Sequence, residues 1–157
     1  RIFVNDTRSA LNAILLGGLI AGTLDIGAAS LISGKDPGIV MQFIASGLIG
    51  KSSFTGGAAT IALGFVLQNL MGLIIAAVFV FASLRAPILR RHWLAAGLVY
   101  GAVIYVVMNY VVMPLSAVGR SPSFSVEGLV KNGLAMLAFG VIVAWFAREK
   151  TPALVTA

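Results

Sequence analysis

The chain has 157 residues, of which 59% are hydrophobic and 10% are charged, and its formal net charge is +6. Soluble domains carry about 25% charged residues, so this composition excludes a water-soluble globular protein. The sequence contains no cysteine, which excludes a disulfide framework and a thiolate metal site. The Lys and Arg residues lie between apolar segments and form no continuous basic face, so we expect no nucleic-acid partner.

Four apolar segments account for most of the chain: residues 11–32, 55–84, 93–114 and 129–147. A membrane-spanning helix needs about 20 mostly apolar residues, and each segment is long enough. Asp25 and Lys131 are the only Asp, Glu, Lys or Arg residues inside them. The sequence therefore predicts an all-α, polytopic membrane protein: a single domain in a lipid bilayer, built as a four-helix transmembrane bundle.

The first span follows the polar residues 5–9, whose side-chain oxygens predict a helix N-cap there. Within the span, Gly18, Gly22 and Asp25 share one face because they are three or four residues apart. A carboxylate at membrane depth is costly. Asp25 is either a proton- or cation-binding group, or a structural carboxylate that is hydrogen-bonded to a neighbouring span or hydrated.

Residues 38–50 form a short apolar segment between the first two spans. As a helix it would cover about 20 Å, less than the roughly 30 Å hydrocarbon core. Gln42 and Ser46 are four residues apart and share a face. The segment is therefore predicted to be either an interfacial helix or a re-entrant helix that lines a pathway.

Spans two and three carry stripes of small and polar residues. The first stripe is Gly57, Thr60, Gly64, Gln68 and Gly72, with Asn69 beside it, and the second is Gly97, Gly101, Tyr105 and Asn109. Small residues allow close helix approach, and amides hydrogen-bond across it. This pattern predicts Gly18, Gly22, Gly64, Gly97 and Gly101 as helix-packing positions. The alternative is a polar substrate path lined by Asp25, Gln68, Asn69 and Asn109.

The fourth span lacks so clear a stripe, and we expect its outer surface to face lipid or a partner. Lys131 lies near its start, where it can snorkel to the interface or pair with Asp25. His92 is the single histidine and stands in a basic cluster, which indicates an interfacial role. No spacing of residues indicates a catalytic, metal or cofactor site, so the sequence predicts no enzyme.

The basic residues predict the orientation, because Lys and Arg concentrate on the cytoplasmic side. With four spans both termini share a side. Seven basic residues lie on that side, against four on the other: Arg1, Arg8, Arg85, Arg90, Arg91, Arg148 and Lys150 against Lys35, Lys51, Arg120 and Lys131. The bias predicts cytoplasmic termini, and Trp93 and Trp145 are placed at the same interface.

Four segments resemble a group of small bacterial inner-membrane proteins with four spans: residues 18–25, 42–50, 56–60 and 109–116. Residues 97–101 and Pro114-Leu115 are more distantly similar to the YagU-like inner-membrane proteins. The resemblance implies location in a bacterial inner membrane and brings no particular activity.

Two functional hypotheses follow. The first is a non-enzymatic structural or accessory subunit that packs against a larger membrane-protein complex or associates with itself. The second is a small transporter or channel that uses Asp25 as its ion- or proton-binding group.

Overall fold

The computed structural model describes residues 2–119 and 126–148, with side chains from residue 8 onwards. The described residues form helices and turns without a strand. The helices are α1 (Ile2–Ser33), α2 (Pro37–Ile49), α3 (Gly57–Arg85), α4 (Ile88–Arg91), α5 (Trp93–Val107), α6 (Met113–Leu115) and α7 (Val126–Arg148). Among the described residues, four segments are long and apolar enough to span a membrane: Arg8–Ser33, Gly57–Arg85, Trp93–Leu115 and Val126–Arg148. The predicted all-α membrane bundle is thereby confirmed.

The first helix starts earlier than predicted. It begins at Ile2 and runs through residues 5–9 without a break, so the predicted N-cap is wrong. Asn, Asp, Thr and Ser accept helical geometry at little cost once a long apolar helix has nucleated beside them. The polar residues therefore mark where the apolar segment begins and do not mark where the helix begins.

Helix α2 crosses the first turns of α3 at one end of the bundle. Asp36 caps its start by accepting a hydrogen bond from the Gly38 amide at 2.8 Å. Its C-cap, Gly50, has φ +68° and ψ −151°, a conformation that is essentially restricted to glycine. The carbonyl of Gly47 accepts a hydrogen bond from the Ala117 amide, just after the third span, at 2.9 Å. We call this end, where α1 ends and α3 begins, the α2 end.

The stripe on α3 is the seam along which α3 meets its two neighbours. A Cβ atom added at Gly64 would lie 1.9 Å from the carbonyl oxygen of Met41 on α2. Two turns further on, a Cβ at Gly72 would lie 2.6 Å from the carbonyl oxygen of Gly18 on α1. Gly22 lies on the same seam with more room, since its Cβ would be 3.7 Å from the Gln68 carbonyl oxygen. Backbone therefore touches backbone at two points along α3.

Helices α5 and α7 also pack backbone against backbone. A Cβ atom at Gly101 would lie 2.4 Å from the Met136 carbonyl oxygen, and one at Gly97 would lie 2.9 Å from that of Gly140. Helix α7 also packs on α1, where a Cβ at Gly17 would lie 3.3 Å from the Cβ of Phe146. The fourth span thus has neighbours on two sides, and its remaining surface carries exposed apolar residues such as Leu134.

The third span changes its helical pitch near its end. Residues Met108–Val112 form a π-helical turn between α5 and α6. Pro114 follows in α6, and proline has no amide hydrogen for the carbonyl four residues earlier and clashes with it. The wider turn accommodates that clash without ending the helix.

Helices α3 and α5 make the least direct contact of the neighbouring spans. The Tyr100 hydroxyl reaches across from α5 and donates a hydrogen bond to the Ile75 carbonyl oxygen at 2.6 Å. The Tyr100 ring packs on Phe79 with centroids 5.0 Å apart. The buried core lies between these aromatic rings and the α1–α7 interface, around Ala76 and Val143.

Candidate functional site

The seam between α1 and α3 brings Asp25 and Gln68 into contact. The Gln68 side-chain amide donates one hydrogen bond to an Asp25 carboxyl oxygen at 2.8 Å. The same nitrogen lies 3.4 Å from the Gly22 carbonyl oxygen. The contact is possible because Gly18 and Gly72 let the two helices approach within reach of a glutamine side chain.

This pair lies well inside the spans. Asp25 precedes the end of α1 by eight residues, which is about 12 Å at helical rise. Gln68 follows the start of α3 by eleven residues, which is about 17 Å. Gln68 is buried and Asp25 is half-buried. Both side chains therefore lie inside the spans, nearer to the α2 end than to the opposite end.

Within the described residues, Gln68 is the hydrogen-bond partner of the Asp25 side chain, and it is uncharged. The ion pair in the described part of the chain joins Lys131 to Glu127, one turn earlier on α7. The predicted pairing of Lys131 with Asp25 is therefore wrong, because a carboxylate on its own helix is closer. An amide donor can serve either the protonated or the ionised carboxyl group, so the geometry allows a proton to bind at Asp25.

The two asparagines of the predicted polar path bond within their own helices. The Asn69 amide donates to the Phe65 carbonyl oxygen at 2.8 Å, and the Asn109 amide donates to the Tyr105 carbonyl oxygen, also at 2.8 Å. Asn69 still lies next to Gly22 on the α1–α3 seam. Asn109 lies in the π-helical turn of the third span. The structure thus brings Asp25 and Gln68 together and leaves Asn109 elsewhere.

One polar contact was not predicted from the sequence. The Gln42 amide on α2 donates to the Thr60 hydroxyl on α3 at 3.4 Å, and that hydroxyl donates to the Gly57 carbonyl oxygen at 3.0 Å. Both residues carried a signal, because Gln42 stood on the polar face of the short segment and Thr60 stood in the stripe. Their pairing depends on the crossing of α2 over α3, which no spacing within either segment specifies.

The opposite end of the bundle carries aromatic and basic residues. The Arg148 guanidinium lies 4.5 Å from the ring centroid of Trp93 and 5.4 Å from that of Trp145. These distances are typical of cation–π contacts. Arg85, Arg90 and Arg91 belong to the same end, where α3 stops and α5 starts. We call this the basic end.

Two grooves open on the surface, and both are lined mainly by apolar side chains. One lies between α1, α5 and α7 beside Trp93 and Phe146. The other lies between α3 and α5, has a volume of ≈ 360 Å³, and is reached by His92 at the basic end. No group of three or more His, Cys, Asp or Glu residues that could hold a metal ion occurs within residues 2–119 and 126–148.

Comparisons with protein-family models, with curated proteins and with solved structures each found no match to this chain.

Proposed function

We propose that this protein is a non-enzymatic integral membrane protein that serves as a structural or accessory subunit of a larger membrane-protein assembly. We place it in a bacterial inner membrane with both termini in the cytoplasm. The charge bias between the two ends of the bundle supports that orientation, and the resemblance to four-span inner-membrane proteins supports the location and membership in that group.

The observation that carries the proposal is the use made of the polar side chains inside the spans. Gln68 bonds Asp25 across a helix seam, and Tyr100 bonds a carbonyl across another. Asn69 and Asn109 bond carbonyl oxygens of their own helices. Bonds of the first kind hold helices together, and bonds of the second kind satisfy the amide within its own helix. A substrate path instead needs several polar groups that converge on one space.

The outer surface of the spans supports a partner in the membrane. In the most apolar window of each span, between 11% and 28% of the residues are buried inside the bundle. The remaining surface is apolar and suits lipid or another transmembrane helix. Leu24, Val66 and Leu134 are examples, each more than half exposed and each on a different helix.

Single-cysteine cross-linking in native membranes tests this proposal, because the chain has no cysteine of its own. Cysteines at Leu24, Val66 and Leu134 sample three lipid-facing surfaces, and a cysteine at the buried Ala144 is the matched control. We expect a benzophenone maleimide attached to these cysteines, once photoactivated, to insert into C–H bonds of a single membrane protein at one surface. That protein is identified by mass spectrometry and also co-purifies in fixed stoichiometry in mild detergent. A monomer with no cross-linked product at any surface would exclude the proposal.

A small transporter or channel is the second candidate, and the position of Asp25 favours it. A carboxyl group inside a membrane span whose described partner is a neutral amide is a group that can take up and release a proton. In this function Asp25 binds the proton or cation and Gln68 positions its carboxyl group.

Ion flux into proteoliposomes decides on this second candidate. We expect Asp25→Asn to abolish flux, whereas Asp36→Asn should leave it unchanged. Asp36 is exposed at the start of α2, and asparagine is an equally good N-cap. Equal flux in wild type and Asp25→Asn, or no flux in either, would contradict a transport role.

A further inference from the structure

The groove between α3 and α5 is apolar along its length and basic at its mouth. Its walls include Phe79 and Ala82 from α3 and Val99, Tyr100 and Val103 from α5. Ile88 and Leu89 of α4 line it at the basic end, together with His92. The Tyr100 hydroxyl donates a hydrogen bond to the Ile75 carbonyl oxygen, so Tyr100 contributes its apolar ring to the groove wall.

The length of the groove matches one leaflet of a bilayer. From His92 to Val103 the lining follows α5 for eleven residues, which is about 16 Å at helical rise. Half of a hydrocarbon core is about 15 Å. The groove also has a volume of ≈ 360 Å³, within the range of about 300–1,000 Å³ that is usual for ligand sites. An acyl chain that enters from the basic end fits this shape.

The segment that contains α4, beside the basic end of the groove, is rich in arginine. Residues 85–92 contain Arg85, Arg90, Arg91 and His92 and no acidic residue. Arg85 and Arg91 are exposed. Within residues 2–119 and 126–148 the ion pair, Lys131–Glu127, lies on the first turn of α7, away from this mouth. A phosphate group at the level of α4 would complement these arginines.

We propose that the groove between α3 and α5 binds an anionic phospholipid, with one acyl chain against Phe79, Val99 and Tyr100 and the headgroup phosphate at Arg85, Arg90 and Arg91. The lipid completes the seam at which the spans make least contact. This binding is independent of whether the protein is a subunit or a transporter.

Thermal unfolding of the detergent-purified protein, titrated with defined additives, tests the proposal. We expect phosphatidylglycerol to raise the melting temperature in a saturable manner, whereas phosphatidylcholine and inorganic phosphate should not. Stabilisation by inorganic phosphate to the same extent would assign the site to a free anion and overturn the proposal. Equal stabilisation by phosphatidylcholine would mean that the groove does not distinguish anionic from neutral phospholipids, and it would overturn the proposal.

Charge variants test the headgroup site. Replacing Arg85, Arg90 and Arg91 together by glutamine should weaken phosphatidylglycerol binding on the order of a hundredfold, since each basic residue near the surface contributes about a factor of five. The matched control replaces Lys35 and Lys51, which are exposed at the α2 end, and should retain wild-type affinity. Equal affinity in both variants would overturn the proposal.

Steric variants test the acyl-chain site. Ala82→Phe adds a ring inside the groove, and Ala102→Phe adds the same ring at an exposed position of α5 that does not line it. We expect Ala82→Phe to weaken phosphatidylglycerol binding at least tenfold and Ala102→Phe to retain wild-type affinity. Loss in neither variant would show that lipid binds without entering the groove.

Photolabelling of the wild-type protein tests the same site without any substitution. Phosphatidylglycerol with a diazirine in its acyl chain should label the peptides that contain Phe79 and Val99. Labelling spread evenly over all lipid-facing residues would contradict the proposal.

Discussion

The contact between α5 and α7 allows a sharp test of the packing, because it is built from backbone. A Cβ atom at Gly140 would lie 2.2 Å from the Gly97 carbonyl oxygen and 2.6 Å from the Gly101 nitrogen. Ordinary van der Waals contact begins at 3.4 Å, so Gly140→Ala requires the helices to separate by about 1.2 Å at this point. Neither neighbouring atom can rotate away, since both belong to the main chain.

The expected loss of stability follows from that separation. Overpacking a close contact costs about 1–3 kcal/mol, and a gap of 0.5–1 Å forfeits a quarter to a half of each dispersion contact along the seam. We therefore expect Gly140→Ala to lower the free energy of unfolding by about 2–3 kcal/mol. The gain in helix propensity from glycine to alanine, about 1 kcal/mol, works in the opposite direction and needs a control.

Gly133→Ala is that control. Gly133 lies on the same helix seven residues earlier and so on the same face, but a Cβ there meets nothing within 4 Å. Both variants receive the same propensity gain, and their difference isolates the contact. Unfolding in mixed micelles with increasing dodecyl sulfate, followed by circular dichroism, should separate them by at least about 2 kcal/mol. Unfolding of both at the same dodecyl sulfate fraction would refute the close packing of α5 on α7.

Three further outcomes can be measured in the same assay. Gln68→Leu should lower the free energy of unfolding by about 1–2 kcal/mol. The same substitution should have a smaller effect in a protein that already carries Asp25→Leu. Strictly additive effects would mean that the two side chains do not interact. Tyr100→Phe should lower the free energy of unfolding by about 1 kcal/mol. Tyr105→Phe should leave it unchanged, because the Tyr105 hydroxyl has no hydrogen bond within the described residues. Equal effects of the two substitutions would contradict the hydrogen bond from Tyr100 to α3. Gly50→Ala should lower the free energy of unfolding by about 1–3 kcal/mol, because Gly50 has a positive φ. An unchanged stability would contradict this backbone conformation at the C-cap of α2.

The four spans were predictable from the sequence because length and apolar composition alone determine which segments can cross a bilayer. Their ends were less predictable. The polar residues 5–9 looked like a helix start, yet α1 passes through them, since a helix can continue beyond the hydrocarbon core. The stripe on α3 indicated a packing surface, and the structure places Gly64 and Gly72 in backbone contacts there.

The packing of the fourth span was less predictable from its sequence. A stripe that combines glycine with amide or carboxylate residues is less clear on α7 than on the other spans. Its seam is instead made by Gly140 with the buried Ala144, four residues later. A search for pairs of small residues at that spacing, without regard to polar neighbours, would have found it.

The candidate site was predictable in its members and not in its geometry. Asp25 and Gln68 stood on the stripes of their helices, and they meet in the structure. Asn109 stood on a comparable stripe but bonds the Tyr105 carbonyl oxygen one turn earlier. An amide in a helix always has such a carbonyl within reach, so a stripe alone does not reveal whether the amide turns inward to its own helix or across to the next.

The α3–α5 seam also has a mechanical consequence. Glycine brings backbone against backbone at two other seams of the bundle, α1 with α3 and α5 with α7, and such contacts resist sliding and separation because they leave no side chain free to adjust. The α3–α5 seam depends on Tyr100 and the ring of Phe79. Side chains of this kind can change rotamer, so we expect the α3–α5 seam to be more compliant than those two seams. Any widening of the bundle, by heat, by detergent or by lateral tension in the membrane, should therefore begin at Tyr100.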